Sequence, residues 1–159
     1  MVGVVPNAAY RHFADRDALL AAVRDYALQE LARSMADGMD KVRAPAGSAA
    51  GARLRMRAVG TAYLAFARQE PGLFDTAFTA THHPVTSRWP LERLQSALDD
   101  LVRAGLLDPA RRPDIEYPTW AAVHGFAVLL RGPLQSLPEQ EQIRLGAAIL
   151  NFIGAAVAP

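Results

Sequence analysis

The chain contains no cysteine, which removes disulfides and thiolate metal sites from consideration. Apolar runs are short, and none reaches the length of about eighteen residues that suggests a membrane span. The N-terminus lacks the basic region and apolar run of a secretory signal, so a cytoplasmic protein is expected. Lysine is nearly missing: of 17 basic residues only Lys41 is one, which reads with the wealth of alanine as compositional bias rather than function. Neither sign of charge dominates, and a net charge of +1 does not by itself argue for nucleic acid. There is no Gly-x-Ser-x-Gly elbow and no glycine-rich phosphate loop. The carboxylate pairs Asp99-Asp100 and Asp15/Asp17 fall on outward helix faces rather than converging. No catalytic residue and no cofactor is therefore expected, and the chain does not read as an enzyme.

Strand signals are absent as well, since no segment alternates apolar and polar residues with β-branched enrichment. What is present is helical periodicity over a chain of 159 residues, 51% of them hydrophobic, enough to bury a substantial core. The pattern predicts helices at about 6–13, 16–38, 52–69, 71–78, 90–105, 114–131 and 138–157. Leu19, Leu20, Val23, Tyr26, Ala27, Leu31 and Met35 mark the inner face of the second, with Gly38 as its stop. Leu54, Ala58, Ala62, Tyr63, Leu64 and Phe66 are inner positions of the third. Residues 44–51 and 79–88 read as loops. The fold class is all-α, with about seven helices.

The N-terminal stretch begins as though inside a motif. Gly3 can take the positive φ of a tight inter-helix turn, and Pro6 suits a helix's first turn. Asp15 is a good N-cap for the long helix that follows, with Asp17 adding negative charge to its first turn. A short helix entered through a glycine turn and followed by a longer helix is how a helix-turn-helix presents its recognition helix. On that model Asn7 and Ala8 approach base edges, since Asn can pair with adenine and an alanine methyl can meet that of thymine. Tyr10, Arg11, His12 and Arg16 are candidate backbone-positioning residues, while Phe13 packs the short helix. Before Asp15 the chain carries Arg11 and His12 and no acid, which fits phosphate contact and a solvated terminus alike.

The resemblance is to a known family. Gly3-Val4-Val5-Pro6, Tyr10-Arg11-His12-Phe13 and Asp15-Arg16-Asp17-Ala18-Leu19-Leu20 resemble the end of the DNA-binding domain of TetR-family transcriptional regulators. Trp120-Ala121-Ala122-Val123-His124-Gly125 resembles the Trp-x-x-x-His-Gly signature of one family of TetR ligand-binding domains. The resemblance implies a TetR-like helical bundle in two parts. Residues 1–38 would be a partial helix-turn-helix domain and residues 39–159 the ligand-binding and dimerisation domain. Family members carry two further helices before this turn, where this chain has only Met1 and Val2. A misplaced start, a deliberate cut and a natural loss all stay open. Without that support the short helix falls below the dozen or so residues at which isolated helices hold, so residues 1–13 are expected to be poorly ordered and DNA binding weak. For the intact protein the resemblance implies a homodimeric repressor. A small, largely apolar effector would shift the helix at 16–38 and release operator DNA. The alternative is a stand-alone dimeric helical small-molecule-binding or interaction protein with no DNA role.

Tyr63, Phe66, Phe74, Phe78, Trp89, Leu94, Leu98, Trp120, Val123 and His124 are candidate linings of an apolar pocket among the helices, although each alone also reads as core. His124 has two compatible readings, a polar group in that pocket or a core histidine donating to a carbonyl, with Gly125 allowing close helix approach. His82-His83 lacks the further ligands a metal would need and reads as a pair of loop histidines. From Leu145 to Ala158 only Asn151 is polar, and a helix apolar all round must be buried all round. A twofold dimer would bury it, with Val128, Arg131, Leu145, Ala148, Ile149, Phe152, Ile153 and Ala156 at the interface. The other reading is the central core helix of a monomer.

Overall fold

Asp15 starts the first helix, α1 (Arg16–Asp40), by accepting a 2.7 Å hydrogen bond from the Ala18 N–H. A computed structural model describes residues 13, 15–45, 47–78 and 89–158 of the chain. The helix expected at 6–13 and the loop expected at 79–88 lie outside the described residues, apart from Phe13. Gly38 does not end α1, which runs on to Asp40. Its bare Cα instead lets α1 cross close to the next helix, where an added Cβ would stand 3.3 Å from the Ala58 carbonyl oxygen. Only the second half of α1 joins the core, through Ala27, Leu28, Leu31, Ala32 and Met35. Leu20, Val23 and Tyr26, expected on the inner face, are 39%, 38% and 53% exposed, because α1 meets the body along the side that carries Ala27, Leu28 and Leu31, with Arg24 bonded to the Ala77 carbonyl at 3.1 Å.

Helix α2 (Ala49–Gln69) begins earlier than its apolar pattern indicates. Ser48 sets the start by accepting from the Gly51 N–H at 3.1 Å while donating to the Pro45 carbonyl at 2.8 Å. This helix is the axis of the molecule and packs against every other one. Val59, Tyr63, Leu64, Phe66 and Ala67 are buried on it, but Leu54 is 48% exposed, not inner, because it lies on the other side of the helix from the buried Ala52. Helix α3 (Pro71–Ala77) is a two-turn element opened by Pro71, and α4 (Trp89–Arg103) is strongly amphipathic. Its apolar row of Leu94, Leu98 and Leu101 is buried, and Glu92, Arg93 and Asp99 face away. Gly105, at φ 69°, closes α4 in a Schellman motif, with the Leu106 N–H bonded to Leu101 and the Gly105 N–H to Val102.

A single 3₁₀ turn at Pro109–Arg111, capped by Asp108, leads to α5 (Glu116–Arg131) and α6 (Glu139–Val157). Arg112 ties this turn to both neighbours through Asp99 at 2.7 Å and Glu116 at 2.8 Å. Six α-helices and no strand are present among the described residues, and none of these helices is long and apolar enough to cross a membrane.

Candidate ligand-binding site

The helices do not close completely on one another. Between α1, α2, α4, α5 and α6 lies a cavity of about 280 Å³ with walls that are overwhelmingly apolar. Met35 of α1 forms one wall, and Met56, Val59 and Tyr63 of α2 form another at helical spacing. Leu94 and Leu101 come from α4, Thr119, Trp120 and Val123 from α5, and Leu150, Ile153 and Val157 from α6. Gly60 faces the same space, and the Leu150 side chain occupies the position that a Cβ at Gly60 would need.

Two polar groups of the wall, Tyr63 and Trp120, form a chain with His124 behind them. The Trp120 indole N–H donates to the Tyr63 hydroxyl at 3.2 Å, and that hydroxyl lies 2.8 Å from Nδ1 of His124. An indole nitrogen can only donate, so the tyrosine oxygen accepts there, and its bond with Nδ1 takes its direction from the histidine tautomer. Burial raises the Tyr63 phenol well above its ordinary range, with the Trp120 bond pulling slightly the other way. Burial also lowers the His124 imidazole below its ordinary value of 6.5. Burial thus favours the neutral form of both groups. Phe78 packs 4.6 Å from the imidazole and 5.0 Å from Phe74, centroid to centroid, and Phe74 meets Tyr63 edge-on at 5.7 Å.

Of the residues that sequence reasoning placed in a pocket, Tyr63, Leu94, Trp120 and Val123 line this cavity. Phe74, Phe78 and His124 form the aromatic layer behind Tyr63, one step removed from the open space. Phe66 and Leu98 are buried in the core outside the lining, and Trp89 sits partly exposed at the start of α4. Among the described residues the partner of His124 is a hydroxyl rather than a carbonyl, and none of them lies within 4 Å of where a Cβ on Gly125 would be. The rim holds residues that periodicity did not single out. Arg53 donates to the Ala158 carbonyl and Arg57 to the Asn151 side chain, and all but Ala158 are exposed.

The expected interface residues divide into two groups. Val128 and Phe152 are 51% and 67% exposed, and Ala148 and Ala156 are also exposed. Leu145 and Ile149 are half-buried, and Arg131 holds Asp75 of α3 at 2.9 Å. Ile153 is only 6% exposed and faces the cavity, so it belongs to the subunit's interior. Arg16, the one expected DNA-contacting residue among those described, is the exposed first residue of α1. Asn7, Ala8, Tyr10, Arg11 and His12 lie outside the described residues. No cluster of three or more histidines and carboxylates suited to a metal ion occurs among the described residues.

Together these features define an all-α bundle with an internal apolar cavity. The family described as Tetracyclin repressor-like, C-terminal domain, matches residues 56–152, and the chain belongs to that family. The matched stretch takes in the cavity walls of α2, α4 and α5, with the Trp120–Gly125 signature. Among solved structures, a protein with unknown function from Rhodococcus sp. RHA1 superposes with a TM-score of 0.69 at 24% identity. The alignment covers 99% of this chain and 80% of the Rhodococcus protein, a likeness of fold. No curated protein matches the chain.

Proposed function

We propose that this chain is the effector-binding and dimerisation part of a TetR-type transcriptional regulator, acting as a cytoplasmic repressor rather than an enzyme. Residues 39–159 bind the effector and pair with a second copy, and residues 1–38 connect to DNA. The observation that carries this reading is Met35: the long helix α1 contributes a buried side chain to the wall of the cavity. A small, largely apolar molecule in that space presses on the same rigid rod that leads toward Arg16 and the segment containing Asn7, Ala8, Tyr10, Arg11 and His12. Coupling follows if the molecule binds one position of α1 better than another.

Pairing is supported by the outer faces of α5 and α6. Ala121, Gly125 and Val128 fall at helical spacing on an exposed face, with open space over Gly125. Ala148, Phe152 and Ala156 do the same on α6. Small residues beside a large exposed ring suit a twofold four-helix contact, in which Gly125 admits a neighbouring helix.

The test uses the protein expressed from its full reading frame and labelled duplexes taken from the DNA flanking its gene. Binding that weakens steeply with salt, and is released by a compound that also raises the melting temperature, supports the regulator. Thermal stabilisation by ligand without any DNA binding would favour a stand-alone binding protein instead.

A further inference from the structure

The cavity's polar groups are unevenly placed. Inside, the Trp120 indole and the Tyr63 hydroxyl are engaged with each other and with His124. At the rim stand two guanidinium groups, Arg53 and Arg57, four residues apart and hence on one face of α2. Arg55, between them in sequence, points elsewhere and is held by Asp100 at 2.6 Å. Among the described residues neither Arg53 nor Arg57 has a carboxylate partner, and no aspartate or glutamate lines the cavity. Each bonds through Nη1 to a neutral oxygen, Ala158 O or Asn151 Oδ1, which leaves further N–H donors on both. Two like charges at the mouth of a low-dielectric space focus a positive potential on its entrance.

We propose that the cavity takes an amphipathic oxyanion, with an apolar body filling the interior and a carboxylate or phosphate head held by Arg53 and Arg57. This rests on the reading of the cavity as an effector site and narrows its ligand. At about 30 Å³ for each water-sized group, a volume of about 280 Å³ holds about nine heavy atoms, a medium-length alkyl chain or a fused ring pair. Guanidinium groups pair with such heads through short, charge-assisted bonds, and a neutral head gains little from them. Because both arginines also hold α6, a bound head shares their donors with Ala158 and Asn151 and so touches the helix that carries Phe152.

The experiment is calorimetric titration of the chain at neutral pH with decanoate and decyl phosphate, each below its micellar concentration, and 1-decanol, below its solubility limit. The expected result is that at least one anion binds about tenfold or more tightly than decanol. The stronger of the two identifies the head. In the Arg53→Gln/Arg57→Gln variant that preference vanishes while decanol binding stays unchanged, which also shows that the variant is folded. The Arg53→Lys/Arg57→Lys variant keeps part of the preference. Equal binding of all three probes, unaffected by the glutamine changes, overturns the oxyanion assignment and leaves the effector site standing. Binding of none of them overturns the effector site and the assignment together.

Discussion

Leu150 of α6 lies directly over the bare Cα of Gly60 on α2, in the place where any other residue at position 60 would put its Cβ. Two helices are thereby keyed together at the cavity wall, since both residues line it. Gly60→Ala is expected to destabilise the fold by about 1 kcal/mol. Displacing Leu150 costs about 2 kcal/mol, and the better helix propensity of alanine offsets about half of it. Combining it with Leu150→Ala should cost clearly less than the sum of the single changes in urea denaturation. Strict additivity would mean that the two side chains do not compete for the same space.

Tyr63 is the hinge of the polar chain, and removing its hydroxyl strands two partners. Tyr63→Phe leaves the half-buried Trp120 N–H and His124 Nδ1 without their partner. A loss of about 2 kcal/mol is expected from denaturant unfolding, more than one neutral hydrogen bond is worth. A loss within a few tenths of a kcal/mol would show that water replaces the hydroxyl.

Protonation of His124 opposes folding, because burial lowers its native pKa below 6.5. The unfolded chain then binds more protons between the two values, so stability rises with pH through that window. The melting temperature should be flat just above neutrality and fall as pH drops below about 6.5. Glu116 and Asp100, whose native pKa values are lowered by their hydrogen bonds and ion pairs despite burial, add a second loss only below about 4.5. His124→Gln should flatten the upper limb and leave the lower one. An unchanged upper limb would assign it to another group.

Arg112 supports a buried acid. Glu116 is 7% exposed and receives bonds from Arg112 and the Gln95 amide. Arg112→Ala should cost about 3 kcal/mol, since it leaves that buried carboxylate without a countercharge, whereas Glu116→Gln, which removes the charge, should cost far less. Similar costs for both, measured by chemical denaturation, would contradict this ordering.

Much of the helix order was legible because it rests on local physics. Asp15 caps α1, Gly105 ends α4 and Pro71 opens α3, each through its own backbone chemistry. Gly38 misled because a glycine near a helix end serves equally as a stop or a crossing point, and only the position of Ala58 decides. The first half of α1 shows the same limit: Leu20, Val23 and Tyr26 share the periodicity of Leu31, but exposure depends on which side of α1 meets the body. At the site, aromatic residues could be named from the sequence, whereas their division between lining and backing layer could not. Arg53, Arg57 and Asn151 carry no local signal, because what makes them a rim is the distant α6 brought beside α2.

The proposed pairing is tested most directly by the mass of the chain in solution. Sedimentation equilibrium at micromolar concentration should give twice the 17.2 kDa of one subunit. Phe152→Glu, at a side chain that is 67% exposed, should give 17.2 kDa with the helical spectrum intact. A folded wild-type chain of 17.2 kDa under the same conditions would contradict the account.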